Sequence, residues 1–139
     1  MQVHLSYDCQ NIDWNALMAL LKHADMGTYT PELHRRAFEN SYRAVFLFDG
    51  DRLIGCGRLL CDGAYQGAIY DVAVDGQYRG CGLGRKIMNE LLRGAEGMNI
   101  LLYASPGKES FYEKFGFSAA KTGMVRFQNP SAMMERGFI

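Results

Sequence analysis

The stretch AIYDVAVDGQYRGCGLGRK, residues 68–86, decides how the rest of the chain is read. Ala68 to Val74 is rich in β-branched and aromatic residues and reads as a strand. Gly76 to Lys86 then packs four glycines and three cations into eleven residues. From Leu83 to about Arg93 the period is helical, with Leu83, Ile87 and Leu91 on one side and Met88 and Leu92 beside them. A strand that runs through a glycine turn into a helix leaves the first N–H groups of that helix without internal partners. The helix dipole favours an anion at that end. Gly80 and Gly82 keep side chains out of the approach, and Arg79, Arg85 and Lys86 add positive charge. The turn is expected to hold a phosphate.

Two familiar phosphate loops are excluded. A nucleotide P-loop needs G-x-x-x-x-G-K-[ST], but Gly76 meets its next glycine four residues on, at Gly80, and Lys86 is followed by Ile87. The dinucleotide fingerprint G-x-G-x-x-G fits Gly80 and Gly82 but finds Arg85 at its third glycine.

Outward from this stretch the element order is legible. Trp14, Leu17, Met18 and Leu21 give residues 13–24 one apolar helical face. Thr30-Pro31-Glu32 starts a second helix, with a Thr cap and Pro in the first turn, running to about Asn40. Residues 44–60 read as two strands joined by Asp49-Gly50-Asp51, with another turn at Cys61-Asp62-Gly63. Met98 to Tyr103 is expected to be a strand and Pro106 to Phe115 a short helix closed by Gly116. Phe117 to Phe127 reads as extended, broken near Gly123. The order predicts a single α/β (α+β) domain over residues 1–139, with a mixed sheet and helices on its faces.

Composition narrows the class. The chain has 139 residues, 48% hydrophobic and 22% charged, which excludes a disordered chain. Fifteen cations balance fifteen anions, so the global field points to neither nucleic acid nor membrane. No apolar run approaches a bilayer span, and MQVHLSYDCQ lacks the pattern of a signal peptide. Cys9, Cys56, Cys61 and Cys81 match no zinc spacing, so no metal is expected. Free thiols suit a reducing cytosol, and a cytoplasmic location is expected.

Gln77-x-x-Gly80-x-Gly82, followed by Leu83-Gly84 and a helix, resembles the coenzyme A signature Q/R-x-x-G-x-G/A of the GCN5-related N-acetyltransferases (GNAT). Phe111-Tyr112-Glu113-Lys114-Phe115-Gly116-Phe117 is similar to the F-Y-E-K-x-G-F segment near that family's C-terminus. The two stand at the family's usual separation, and the resemblance covers roughly residues 13–128.

The resemblance implies a mostly antiparallel central sheet with splayed strands and helices on both faces. It implies acetyl-CoA as co-substrate, with the backbone of Val72, Ala73 and Val74 along the pantetheine arm. The pyrophosphate would lie on Gln77, Tyr78, Arg79, Gly80, Cys81 and Gly82 and on the helix start Leu83, Gly84, Arg85 and Lys86. It implies Tyr112 as the acid that protonates the departing thiolate. Many members carry Asn seven residues before that tyrosine; this chain has Ser105, a shorter partner for the cofactor arm. It also allows a homodimer, for which Met133, Met134, Phe138 and Ile139 form an exposed-looking apolar tail.

Acetyl transfer to an amine makes definite demands. An alkylamine resembles lysine, with a pKa of ~10.4, so reaching the neutral form at pH 7 costs roughly 4–5 kcal/mol. A base or water chain must take that proton, and a backbone N–H on the splayed strand would polarise the carbonyl. Asp71, a carboxylate inside an apolar strand, requires a partner. It either attracts or deprotonates the amine, or it bonds to a neighbouring strand or loop. Strand alternation places Tyr70 on the opposite face from Asp71. His34 on the second helix reads as solvent-exposed, and Cys81 as a tolerated loop residue without a base nearby.

The resemblance implies a small-molecule or peptide amine as the acceptor. Ile69 to Val74 is similar to glucosamine-phosphate acetyltransferases. Asn40-Ser41, Arg58 and Asp62-Gly63 are similar to small bacterial members related to arylalkylamine acetyltransferases, and both stay open. The alternative to an enzyme is a non-catalytic acetyl-CoA-sensing module that regulates a partner protein.

Overall fold

A computed structural model describes all 139 residues. The chain forms two compact units, Met1–Leu102 and Tyr103–Ile139.

The first unit holds a five-stranded sheet in sequential order: β1 (Val3–Ser6), β2 (Arg43–Asp49), β3 (Arg52–Cys61), β4 (Gln66–Val74) and β5 (Asn99–Leu101). The first four strands pair antiparallel, and β5 joins β4 in parallel. Helix α1 (Trp14–His23) starts at Asp13, whose carboxylate accepts the Asn15 and Ala16 N–H groups. Helix α2 (Pro31–Glu39) starts at Thr30, which accepts the Leu33 N–H, with Pro31 in its first position, as the sequence predicts. Helix α3 (Leu83–Leu92) follows the glycine turn.

The two-residue period of β2 and β3 divides the helices between the faces. Ala44, Phe46, Cys56 and Ala73 turn to α1 and α2, forming a core with Leu17, Leu20, Leu21 and Phe38. There the Phe46 ring lies 5.5 Å from Phe38 and 6.1 Å from Trp14. The alternate residues turn to α3. Here β3 carries glycine: a Cβ on Gly57 would stand 2.8 Å from Ile87 and 3.0 Å from Leu91. The missing side chains let Ile87 and Leu91 bury themselves directly against the sheet, a gain of roughly 1.5–3 kcal/mol each. At the far end of α3, Arg43 donates to the carbonyls of Glu90, Leu91 and Arg93.

The parallel pairing of β4 with β5 covers only Gln66–Ala68 against Asn99–Leu101. Beyond it the strands part, leaving the β5-side edge of Val72–Val74 without a strand partner. The mostly antiparallel sheet, the splay and the helices on both faces agree with the fold expected.

In the second unit, α4 (Glu109–Glu113) is shorter than the span 106–115 read from the sequence. It is followed by Gly116 at φ +89°. Phe117 to Phe127 forms no strand. The tail is not a free apolar end: Asn129 caps α5 (Pro130–Glu135), and Phe138 packs 5.7 Å from Tyr103 and 6.2 Å from Phe127. Met134 and Ile139 remain exposed. The four cysteines are free thiols. No helix is long and apolar enough to cross a membrane.

Candidate active site

The turn after β4 is built from its own side chains. Asp75 accepts the Gln77 N–H at 2.9 Å and starts the short 3-10 turn Gly76–Tyr78. Gly80 and Gly82 have φ of +80° and +77°, which L side chains rarely adopt. Gly82 is the N-cap of α3, and no side chain caps that helix. No atom lies within 4 Å of where a Cβ on either glycine would stand, so open space faces the helix start. Arg79, Cys81, Arg85 and Lys86 are exposed around it, while Leu83 is buried beneath. Free helix N–H groups, three cations and clear space in front of backbone fit a pyrophosphate.

The turn is held in place by residues the sequence reading missed. Arg52 at the start of β3 donates to Gln77 Oε1 at 3.1 Å and to Asp75 Oδ2 at 2.9 Å, and lies 5.4 Å above the Tyr78 ring. The Tyr78 hydroxyl donates to Asp49 Oδ2 at 2.6 Å. That bond holds the Asp49 carboxyl below its usual range and raises the Tyr78 phenol. The side chains of Gln77 and Tyr78 therefore brace the turn from the β2–β3 hairpin. Their available signal was the charged tip Asp49-Gly50-Asp51-Arg52, which registers with the end of β4 only once the strands are paired. Beside the turn, a cleft of about 740 Å³ opens on the α1 side, floored by Ala16, Leu20, Phe48, Leu53 and Val74.

Within β4 the regular ladder breaks. Cys56 pairs with Ala73 and Arg58 with Tyr70, so one residue of β3 faces two of β4. This is a β-bulge, and Asp71 occupies it at φ +57°. The bulge corrects the expectation of opposite faces. Arg58 Nε donates to Asp71 Oδ2 at 2.7 Å, and the same guanidinium lies 5.2 Å from the centre of the Tyr70 ring. Asp71 and Tyr70 therefore meet on one cation. Arg58 also lies 5.7 Å from the Phe38 ring. The Cys56 thiol donates to the Asp71 carbonyl at 3.3 Å, and burial pushes that thiol well up. Val72, Ala73 and Val74 follow the bulge and carry the open strand edge.

His34 is buried, at 3% exposure, rather than solvent-exposed. It shares the inward stripe of α2 with Phe38, four residues on. Its Nε2 accepts the Tyr29 N–H at 3.1 Å. Burial lowers its pKa, with the Arg58 charge acting the same way and Asp71 opposing.

In the second unit, the Ser105 carbonyl accepts the Lys108 N–H at 2.9 Å, closing the turn that leads into α4. Tyr112 lies on α4 with its ring 5.0 Å from Phe111 and 6.2 Å from Phe117. Burial raises its phenol above the ordinary value, so the hydroxyl keeps its proton at neutral pH.

Comparison with known proteins shows the family of the chain. The model of the acetyltransferase (GNAT) domain matches residues 40–119. A probable acetyltransferase of unknown function from meticillin-resistant Staphylococcus aureus superposes with a TM-score of 0.83 at 30% identity, covering 92% of this chain and 100% of that one. The rice (Oryza sativa subsp. japonica) protein named serotonin N-acetyltransferase 2, chloroplastic, is 34% identical over 115 residues, 77% of this chain and 57% of its own length. An uncharacterized N-acetyltransferase of Prochlorococcus marinus is 35% identical over 96 residues, 64% of this chain and 53% of its own. The chain thus spans about half the length of these curated relatives.

Proposed function

The chain belongs to the GNAT acetyltransferase family, and from that premise we propose that residues 1–139 act as one acetyl-CoA-dependent N-acetyltransferase domain for a primary amine. The observation that carries this reading is the uncapped start of α3 behind Gly80 and Gly82, next to the splayed edge of β4.

Bound acetyl-CoA would supply an activated acetyl thioester. The backbone of the turn from Gln77 to Gly82, the helix start at Leu83 and Gly84, and the cations Arg79, Arg85 and Lys86 would hold its pyrophosphate. The unpaired edge of Val72–Val74 offers backbone groups to the pantetheine arm and a donor to the carbonyl oxygen. Ser105 would add a hydroxyl toward that arm. Asp71 presents a carboxylate with one oxygen bonded to Arg58, and its negative charge would draw a protonated amine. Tyr112 would hold a proton on its phenol oxygen for the leaving thiolate.

The name of the rice relative supports including arylalkylamines among the acceptors. The test is coenzyme A release from acetyl-CoA, resolved by chromatography because thiol dyes would also report the four cysteines. The panel would span arylalkylamines, amino acids, polyamines, amino sugars and short peptides. Amine-dependent release, reduced on the order of 100-fold in Tyr112→Phe, is the expected result. Acetyl-CoA binding without release on any amine would favour the sensing module instead. Full turnover in Tyr112→Phe would remove the acid role.

A further inference from the structure

The β4 bulge is the one place in the sheet where a non-glycine residue takes a left-handed backbone, and its carboxylate is tied to a single side chain. The Arg58–Asp71 pair is largely enclosed, with 16% and 21% of the two side chains exposed. The guanidinium is fixed from three directions: Asp71 in its plane, the Tyr70 ring on one strand and the Phe38 ring on α2. Arg58 and Tyr70 are also the last registered pair before the bulge.

We propose that Arg58 is a positioning residue for the acetyl transfer: its bond to Asp71 and its seat between Tyr70 and Phe38 hold the β4 bulge, and with it the strand edge that begins at Val72. The inference rests on the acetyltransferase reading for its functional consequence, but not for its structural one. A left-handed non-glycine residue persists only where its surroundings over-determine it. Asp is among the residues that tolerate the conformation, because its short side chain finds a polar partner nearby. Arg58 is that partner. Without the bond, the strand can return to regular pairing, which turns every following side chain to the other face. The pyrophosphate turn has its own braces in Arg52 and Asp49, so it should stay as it is.

The test uses Arg58→Met, which keeps an apolar stem over the two rings and removes the bond. Backbone NMR shifts of residue 71 and the cross-strand proximity of Cys56 and Ala73 report the bulge. The expected result is a bulge that relaxes and kcat lower on the order of 10–100-fold, the loss that misplacement by about 1 Å produces. Asp71→Asn, which tolerates the left-handed region and still accepts from Arg58, should keep the bulge. Asp71→Val should lose it. An unchanged bulge in Arg58→Met overturns the proposal, whether kcat holds or falls; a fall would then assign Arg58 to the acceptor itself. If Arg58→Met does not fold, Arg58→Leu, which also lacks a donor, gives the same readout. Should the wild-type protein acetylate no amine, the acetyltransferase reading fails, and the bulge measurement alone decides this proposal.

Discussion

Glycine stands at position 82 for two physical reasons, and a pair of substitutions separates them. Its φ of +77° disfavours any L side chain, and its Cβ position faces the open space before α3. Gly63, in the β3–β4 turn, has φ +75° and equally open surroundings but lies in a different turn. Gly82→Val and Gly63→Val should therefore each lose about 1–2 kcal/mol in urea unfolding. Only Gly82→Val should weaken acetyl-CoA, by more than about tenfold in calorimetry. Equal affinities in the two folded variants would move the cofactor away from this turn. His34 makes a second residue-level prediction. Its pKa is lowered in the folded state from an ordinary 6.5, so the unfolded chain binds the proton more readily. The stability it confers is complete above pH 6.5 and declines as pH falls below that value toward the depressed folded pKa. His34→Gln should flatten the slope of unfolding free energy in that window. A slope unchanged by the substitution would assign the pH dependence to other groups.

At the scale of elements, the glycine turn depends on a hairpin remote in sequence. Arg52 bonds to both Asp75 and Gln77, yet half of its side chain is exposed, so its contribution to global stability should be about 0–1 kcal/mol. Its contribution to order in the turn should be larger than that figure suggests, since it touches three of the turn's residues. Arg52→Ala is expected to raise the KM for acetyl-CoA several-fold, within about 1 kcal/mol of apparent binding, with Tm nearly unchanged. A large fall in Tm with unaltered KM would recast Arg52 as a folding residue.

The same elements show what the sequence discloses. Helices α1, α2 and α3, strands β2 to β4 and the glycine turn all carry strong local signals: caps at Asp13 and Thr30, apolar stripes, and turn residues at 49–51. Strand β1 did not, because VHLS is four residues whose pairing is defined by β2 alone. Helix α5 had a readable start in Asn129-Pro130, hidden by its apolar methionines. The bulge at Asp71 could not be read, because a bulge is a mismatch between two strands and neither sequence holds it alone. Arg58 offered a partial signal: a cation among Gly57, Leu59 and Leu60 demands a partner as strongly as Asp71 does.

For the whole molecule, every fully buried side chain lies between Ile12 and Ala95, inside the first unit. The second unit, 37 residues from Tyr103 to Ile139, has an aromatic cluster of Tyr103, Phe127 and Phe138 but no buried residue. Chains below about 40 residues rarely fold alone without disulfides or metals, and this one has neither cysteine nor disulfide in that span. A fragment of residues 1–102 should therefore keep a cooperative thermal transition and a mixed α/β circular dichroism spectrum. The peptide 103–139 should be largely unfolded. The fragment retains the glycine turn and its braces, so it should still bind acetyl-CoA. It lacks Ser105 and Tyr112, so it should release no coenzyme A above background in the presence of amine. Measured together, the two readouts divide binding from transfer. Transfer by the fragment would show that neither Ser105 nor Tyr112 is needed for the chemistry, and a fragment without a cooperative transition would show that the buried core of the first unit does not suffice for folding.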